Sequence, residues 1–358
     1  MRIAVLPGDD IGPEITEAAL TVLNAADETF GLGLDFDVHE VGMASHRKTG
    51  TTLPDSAVQA TFDADGVLLG PGGMTAYPPR SEGGINIPGT IRKQLDLYAN
   101  LRPARARNGL ERARQGLDCI LARENTEGFY ADRNMFLGSG EFMPTPDTAL
   151  AVRKITRQAS RRIAEKAFAL AQTRRKHVTV VGKRHVLQVS DGLFVEEAKA
   201  VARNYPDVTF REVDIDAMVA DIYTNPDRFD VILITNMFGD ILSNLAVALS
   251  GGLGLAAALN VGDTRAAANA GHGSAPDIAG KCIANPSGII LSTAMLLDWW
   301  GAKQGGEKFN VASKAIEQSL DVLLTSGRRT GDLGGKLSTQ EFAKAIAENL
   351  REPVKAAS

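Results

Sequence analysis

The chain has 358 residues, of which 44% are hydrophobic and 23% charged, and its formal net charge is −4. At roughly 100–200 residues per domain, this length predicts two domains with substantial cores. A mildly acidic chain of ordinary composition argues against a protein that coats nucleic acid or an anionic membrane. Cys119 and Cys282 lie outside any CxxC pair, and the N-terminal apolar run is too short for a signal peptide. We therefore expect a cytoplasmic protein without a zinc or disulfide framework.

Short apolar runs alternate with helical patterns along the chain. The runs predict strands at residues 3–6, 34–41, 66–69, 119–122, 178–181 and 231–234. Pro13 opens a predicted helix whose apolar residues recur at helical spacing, and residues 148–176, rich in Arg, Lys and Ala, predict a long helix. This alternation indicates an α/β protein with a largely parallel sheet, which binds its ligands at the carboxyl ends of the strands.

One uncharged stretch, residues 241–262, needs a test for a membrane span. Its glycines and asparagines favour a buried helix followed by a glycine-rich turn. Gly252, Gly254 and Ala257 in this stretch fit the pattern GxGxxA. A dinucleotide-binding fingerprint requires a strand before the pattern and a helix after it, whereas a helical pattern precedes it here. We therefore do not assign a cofactor site to these residues.

Three arginines are candidates for binding a carboxylate: Arg92, Arg102 and Arg123. A planar guanidinium group donates two parallel hydrogen bonds to a carboxylate. The alternative is ordinary solvated surface charge, which is the common state of arginine. Arg102 stands between Leu101 and Pro103, and Arg123 follows an apolar run, so surface exposure is less favoured for these two.

Three acids follow apolar runs: Asp214, Asp216 and Asp240. A carboxylate just beyond a buried strand is costly unless it is paired or bound to a metal. Carboxylate oxygens suit Mg²⁺ or Mn²⁺. Helix capping is the alternative, since aspartate is also a favoured capping residue.

Six phrases occur in a fixed order: LPGDDIGPE, DLYANLRP, RENTEGFYAD, TNMFGDILSN, HGSAPDIAGKCIANP and RTGDLGG. Together they resemble the isocitrate/isopropylmalate dehydrogenase family, the β-decarboxylating dehydrogenases, over almost the whole chain. The resemblance implies a two-domain α/β fold like that of isopropylmalate dehydrogenase, with a largely parallel sheet and not a classical Rossmann fold. It implies a cofactor-binding domain of residues 1–98 and 250–358, and a substrate and dimerisation domain of residues 99–249.

The resemblance also assigns roles in catalysis. Arg92, Arg102 and Arg123 would clamp the malate-like part of a 2-hydroxy acid. Tyr130 would protonate the enol after carbon dioxide leaves, and Lys183, with a pKa lowered by arginines and a metal, would help to remove the hydroxyl proton.

Metal binding and assembly follow from the same resemblance. Asp216 and Asp240 would hold Mg²⁺ or Mn²⁺, with Asn244 as a further candidate. In this family the matching lysine and first aspartate come from a partner subunit, which implies a homodimer with shared active sites.

NAD is the cofactor that the resemblance implies. Its loop would be formed by His272, Gly273, Ser274, Ala275, Asp277, Ile278 and Asn285. Asp277 would accept hydrogen bonds from ribose hydroxyls and repel the 2′-phosphate of NADP. Asn285 would face the adenine.

Departures from the family pattern bear on the substrate. His185 stands where asparagine is usual, Asn244 where an acid is usual, and Asp10 where glycine is usual. Asn86, six residues before Arg92, favours a polar or carboxylated side group, as in isocitrate, homoisocitrate or tartrate, over the isopropyl group of 3-isopropylmalate. The alternative to an active enzyme is a non-catalytic or regulatory member that binds a ligand.

Overall fold

The computed structural model describes residues 1–130, 135, 137–304 and 306–351. The strands are β1 (Arg2–Leu6), β2 (Asp35–Val38), β3 (Gly66–Leu69), β4 (Ala99–Arg105), β5 (Asp118–Glu124), β6 (Glu141–Thr145), β7 (Thr148–Ala151), β8 (His177–Gly182), β9 (Thr209–Asp214), β10 (Val231–Ile234), β11 (Ala257–Val261) and β12 (Ala266–Ala270). The helices are α1 (Gly12–Phe30), α2 (Gly42–Thr49), α3 (Asp55–Asp63), α4 (Ile87–Gln94), α5 (Arg157–Gln172), α6 (Ser190–Ala202), α7 (Ile215–Thr224), α8 (Asn236–Leu249), α9 (Ser287–Gln304), α10 (Glu307–Thr325) and α11 (Thr339–Arg351). None of the helices in these ranges combines the length and the apolar character needed to cross a membrane.

The chain forms two compact units. Unit 1 comprises Met1–Leu95, Arg107–Ala113 and the chain from Gly251 onward, and unit 2 comprises Asp96–Ala106 and Arg114–Ser250. The sequence did not anticipate that residues 107–113 return to unit 1, where the guanidinium group of Arg107 pairs with Glu317 and Asp321 of α10. The assignment of cofactor and substrate to separate domains stays a prediction.

Unit 1 contains five strands in the order β2-β1-β3-β12-β11. The first four are parallel to their neighbours, and β11 is antiparallel to β12. Helix α1 begins with Pro13 in its first turn, where the missing N–H costs nothing, and Gly31 ends it at a φ of 61°.

In the described part of unit 2, five strands form one sheet region in the order β4-β5-β10-β8-β9, and β6 and β7 pair as a separate hairpin. Strands β5, β10, β8 and β9 are parallel, and β4 is antiparallel to β5. In β10, Val231 and Leu233 pack into a core with α5 and α6, whereas Ile232 and Ile234 pack into a core with α7 and α8. The carboxyl ends of the four parallel strands lie at one edge, where the predicted site residues of unit 2 follow them.

Most predicted elements are confirmed, including the largely parallel α/β sheet and the six strands. The predicted helix at 148–176 is wrong in its first part, because Thr148–Ala151 is strand β7 and α5 begins at Arg157. The uncharged stretch does contain a helix followed by a glycine turn, but the turn leads into β11. Gly252 and Gly254 therefore precede a strand, and GxGxxA is not a dinucleotide fingerprint here.

Candidate active site

Arg123, at the carboxyl edge of unit 2, is buried and held by several hydrogen bonds, with 2% of its surface exposed. Its Nε donates to the main-chain oxygen of Asn236 at 2.8 Å, and its Nη2 donates to Asn236 Oδ1 at 2.6 Å. Its Nη1 donates to Asp240 Oδ1 at 2.6 Å, and Nη2 also donates to the Tyr130 hydroxyl at 2.8 Å. A Cβ at Gly239 would lie 2.7 Å from Arg123 Cγ, so glycine is required for this close approach.

Arg102 lies beside it on β4 and is 5% exposed. Its Nε donates to Asn100 Oδ1 at 2.7 Å, its Nη1 donates to Ser243 Oγ at 2.7 Å, and its Nη2 is 3.2 Å from Asp240 Oδ1. Burial, helped by the charge of Arg123, lowers the pKa of Arg102 to about 10. Arg102 therefore remains a cation at neutral pH.

The arginine cluster consists of Arg102, Arg123, Tyr130 and Asp240. The Tyr130 hydroxyl donates to Asp240 Oδ2 at 3.3 Å. These four side chains carry two cations and one anion, and the Asp240 side chain is 40% exposed whereas both arginines are buried. Because buried cations need compensating charge, the cluster suits the binding of a carboxylate beside Asp240.

Three polar residues that the sequence did not single out hold this cluster: Asn100, Asn236 and Ser243. Asn100 lies two residues before Arg102, on the same face of β4. Asn236 and Ser243 lie on α8 with Asp240, within the phrase TNMFGDILSN. Strand and helix periodicity are the signals that could have identified them, since they place these residues on the same faces as Arg102 and Asp240.

The lysine cluster consists of Lys183, His185, Asp214 and Asp216, which follow β8 and β9. Lys183 Nζ pairs with Asp216 and lies 3.7 Å from Asp214 Oδ2, and His185 Nδ1 lies 2.7 Å from the same oxygen. The hydrogen bond to Asp216 raises the pKa of Lys183 and lowers that of Asp216.

One expectation for these residues is wrong: Asp216 is exposed and not in an apolar setting, since it lies in the first turn of α7, beyond the edge strand β9. The pKa of Lys183 is raised within one chain, because its neighbours there are acids. The lowered pKa expected beside arginines and a metal stays a prediction for the shared site. Capping does not explain Asp214, since it precedes α7 without a side-chain hydrogen bond to that helix.

The predicted metal ligands lie in two groups. Asp240 belongs to the arginine cluster, with exposed Asn244 one turn further along α8, and Asp216 belongs to the lysine cluster. Over the part of the chain that the structure describes, no three His, Cys, Asp or Glu side chains gather as a metal-binding group. The donors are oxygens of the kind that Mg²⁺ and Mn²⁺ prefer, and both aspartates are open to a further ligand. Asp240 and Asp216 of one chain would therefore each supply part of the ligands of such a metal site.

The predicted cofactor loop lies in unit 1, after β12. His272 Nδ1 is 3.0 Å from the oxygen of Gly273, and burial lowers the pKa of the imidazole. Ser274 accepts the N–H of Ile11, and Ala275 has a φ of 43° before the turn that carries Asp277 and Ile278.

Two contacts bear on nucleotide recognition. The exposed Asp277 has a cation nearby, because Lys281 Nζ donates to its main-chain oxygen at 2.8 Å. Asn285 is buried, with its Nδ2 donating to Asp332 at 2.9 Å and its Oδ1 accepting the N–H of Ser287 at 2.9 Å. Its side chain already has partners at both ends.

Three further predicted positions lie in unit 1. Arg92 is half-buried on α4, and Asn86 caps that helix, its Oδ1 accepting the N–H of Gly89 at 2.9 Å. Asp10 has a φ of 53°. This left-handed backbone explains why glycine is usual at that position, and aspartate is among the side chains that tolerate it best. The departure at Asp10 therefore has a backbone explanation.

Known proteins of one family are similar to this chain over nearly its whole length. A family profile described as isocitrate/isopropylmalate dehydrogenase matches residues 2–346. The isocitrate/homoisocitrate dehydrogenase of Thermus thermophilus is 40% identical over 352 residues, covering 98% of each chain. The 3-isopropylmalate dehydrogenase of Methanothermobacter thermautotrophicus is 41% identical over 353 residues, covering 98% of this chain and 99% of the relative. The crystal structure of isocitrate dehydrogenase from Methylococcus capsulatus superposes with a TM-score of 0.86 at 38% identity, covering 98% of this chain and 99% of that chain.

Proposed function

The chain belongs to the isocitrate/isopropylmalate dehydrogenase family of decarboxylating oxidoreductases, and from this premise we propose that it oxidises and decarboxylates a malate-type 2-hydroxy acid with NAD and Mg²⁺ or Mn²⁺. The observation that carries the proposal is the pair of buried arginines, Arg102 and Arg123, which share the single carboxylate of Asp240. An anionic substrate supplies the second negative charge that this arrangement favours. Arg92 as a third substrate arginine stays a prediction from the resemblance.

The reaction divides into oxidation and decarboxylation. In the first step Lys183 would accept the hydroxyl proton, and bound NAD would take up the C2 hydrogen as hydride, so that the alcohol becomes the ketone of a β-keto acid. In the second step the carbon–carbon bond to the neighbouring carboxylate breaks and carbon dioxide leaves. The electron pair of that bond stays with the substrate and forms an enolate. Tyr130 then returns a proton to carbon, and the Nη2 donor of Arg123, 2.8 Å from its hydroxyl, stabilises the phenolate that remains. A divalent cation, when bound, polarises the substrate oxygen and stabilises the negative charge of the enolate.

We propose that the active unit is a homodimer. Asp240 and the lysine cluster belong to two groups within one chain, so a second copy can supply Lys183 and Asp216 to the arginine cluster. Apolar side chains on the chain surface support this assembly. Every residue of the β6–β7 hairpin is exposed, including Phe142 and Leu150, and Ile241, next to Asp240, is also exposed. Clustered exposed apolar side chains mark association surfaces.

For the substrate side group we propose a polar or carboxylated one. Asn86 would donate to such a side group through its NH₂ group, since its oxygen caps α4. Pro88 and Gly89 follow in the segment where isopropylmalate enzymes carry bulky aliphatic residues. Isocitrate, homoisocitrate and tartrate are therefore expected to react better than 3-isopropylmalate.

A substrate screen tests the proposal. These four acids, with NAD and Mn²⁺, are followed by the absorbance of NADH. Lys183→Met is expected to abolish turnover while NAD binding, measured by calorimetry, stays close to wild type. The matched control is Lys199→Met, which removes another partly exposed lysine paired with an acid, Glu212. Full activity of Lys183→Met would contradict the assigned role. Binding of an acid without turnover would favour the non-catalytic, ligand-binding alternative, for which the departures at His185 and Asn244 are the support.

A further inference from the structure

A buried ion pair stands beside Lys183 and has no part in the reaction described above. Arg153 Nη1 lies 2.6 Å from Asp191 Oδ1, and the two side chains are 8% and 0% exposed. A buried pair of this kind is weak support for stability, because apolar residues of similar volume often do as well. Its geometry points instead to a role in holding the chain around it.

Asp191 holds the main chain of Lys183. Its second oxygen, Oδ2, accepts the Lys183 N–H at 2.6 Å. The turn between them is closed from the other side as well, since Leu187 donates to the Lys183 oxygen at 2.8 Å and Asp191 donates to the Leu187 oxygen at 2.9 Å. Both polar main-chain groups of Lys183 are therefore bonded within the segment that ends at Asp191.

Arg153 is itself fixed from several sides. Its Nη1 donates to Ser190 Oγ at 3.0 Å, and its Nη2 donates to Thr235 Oγ1 at 3.2 Å. Its guanidinium carbon lies 5.8 Å and 5.3 Å from the ring centres of Phe129 and Phe238. Thr235 is the residue before α8, so one guanidinium group contacts the turns that follow both β8 and β10.

We propose that Asp191, braced by Arg153, is the positioning residue for Lys183; this inference rests on the proposed role of Lys183 in the reaction. The lysine side chain is long and flexible, so where its Nζ can reach depends on the position of the main chain that Asp191 holds. A displacement of about 1 Å at a reacting group costs roughly 100-fold in rate. Loss of the Asp191 contact is therefore expected to lower kcat beyond what the accompanying loss of stability would explain.

The chain contains a matched pair at the opposite end of the same strand. Arg174 Nε lies 2.7 Å from Asp230 Oδ1, and Asp230 is 1% exposed. Asp230 Oδ2 accepts the N–H of His177, the first residue of β8, at 3.4 Å. Asp230 thus holds β8 at its amino end through the same kind of bond, away from the residues of the proposed reaction.

The experiment compares Asp191→Asn with Asp230→Asn. Each variant keeps the size of the side chain and removes the charge that the arginine and the main-chain N–H share. Both are expected to lower the unfolding temperature by similar amounts. With isocitrate, NAD and Mn²⁺, or the most active acid of the screen, Asp191→Asn is expected to lower kcat by about 10- to 100-fold. Its KM for the acid stays within about threefold because Arg102 and Arg123 keep their partners. Asp230→Asn keeps the wild-type kcat.

Hydrogen exchange gives a readout that needs no substrate. The amide of Lys183 is expected to exchange faster in Asp191→Asn than in wild type, and to be unchanged in Asp230→Asn. Unchanged exchange in Asp191→Asn, or equal losses of kcat in the two variants, would overturn the inference. If wild type turns over none of the acids of the screen, the proposed function fails instead, and if Lys183→Met retains turnover, the assigned role of Lys183 fails, so these failures are distinguishable. Should Asp191→Asn not fold, Arg153→Lys against Arg174→Lys makes the same comparison, with a lower kcat expected for Arg153→Lys alone.

Discussion

Glu127 is a buried acid whose titration should be visible in the stability of the protein. Its residue is 3% exposed, and burial raises the pKa of its carboxyl group to about 7 in spite of hydrogen bonds from Thr156. Those bonds are 2.6 Å from the Thr156 N–H to Oε1 and 3.0 Å from its hydroxyl to Oε2. The main-chain oxygen of Glu127 also accepts Asn236 Nδ2 at 2.9 Å, which links it to the support of Arg123.

The change Glu127→Gln removes this titration while keeping both contacts with Thr156. In the wild type the pKa is raised from 4.5 to about 7, so the folded state holds the proton more tightly than the unfolded state. The associated stability is fully present below the unfolded pKa and is lost as the pH rises through the folded pKa. With about 1.36 kcal/mol for each pKa unit, the loss between about pH 5.5 and about pH 8.5 is on the order of 2 kcal/mol.

The assay is urea unfolding of wild type and Glu127→Gln at these two pH values. The quantity of interest is the stability of the variant relative to wild type at each pH, which cancels titrations that the two proteins share. It is expected to rise by about 2 kcal/mol from the lower to the higher pH. The control is Glu111→Gln, which makes the same exchange at an exposed glutamate. A flat difference for Glu127→Gln would refute the conclusion that burial raises the pKa of this carboxyl group.

Three further predictions concern the chemistry. Tyr130→Phe should slow the full decarboxylating reaction more than reduction of the separately supplied keto acid, because only the former needs the returned proton; equal losses in both assays would argue against the acid role. NAD should be preferred to NADP, and Asp277→Lys with Ile278→Tyr should narrow the ratio of the two kcat/KM values; comparable efficiency of the unmutated protein with both nucleotides would contradict this. Asn244→Asp adds a negative charge one turn from Asp240, so Mn²⁺ should bind without substrate more tightly by on the order of 1–3 kcal/mol in a calorimetric titration; equal affinities would place Asn244 outside the metal shell.

Apart from β2, which its alternation of apolar and polar residues indicated, the strands that the sequence predicted well are mostly buried. β10 lies between two cores, so it is a continuous apolar run and its bounds follow from hydrophobicity alone. β9 is an edge strand and the β6–β7 hairpin is exposed throughout, so neither has an apolar run to indicate it. β11 and β12 are rich in alanine, which favours helix, and they are strands because they pair with each other and, for β12, with β3.

The sequence pointed to the charged residues and Tyr130 of the arginine cluster, and it missed the three polar residues that hold them, Asn100, Asn236 and Ser243. Arg102, Arg123 and Asp240 do lie together, as the motif phrases indicated. The partner of Lys183 could not be seen in the sequence, because Asp216 lies 33 residues away. Parallel pairing of β8 with β9 places Gly182 opposite Asp214, and this register brings the following residues into contact.

The division of the chain has a consequence for folding during synthesis. Unit 2 is built from two nearby segments, Asp96–Ala106 and Arg114–Ser250, so its strands can pair soon after they emerge from the ribosome. Unit 1 cannot, because Val67 of β3 pairs with Ala267 of β12, 200 residues later. At about 5–20 residues per second, translation leaves this edge of β3 without its partner for roughly 10–40 s. Strand β3 is therefore made early but gains its second neighbour late. Until β12 is made, its unpaired edge could bind another strand, which is the kind of surface that a chaperone protects.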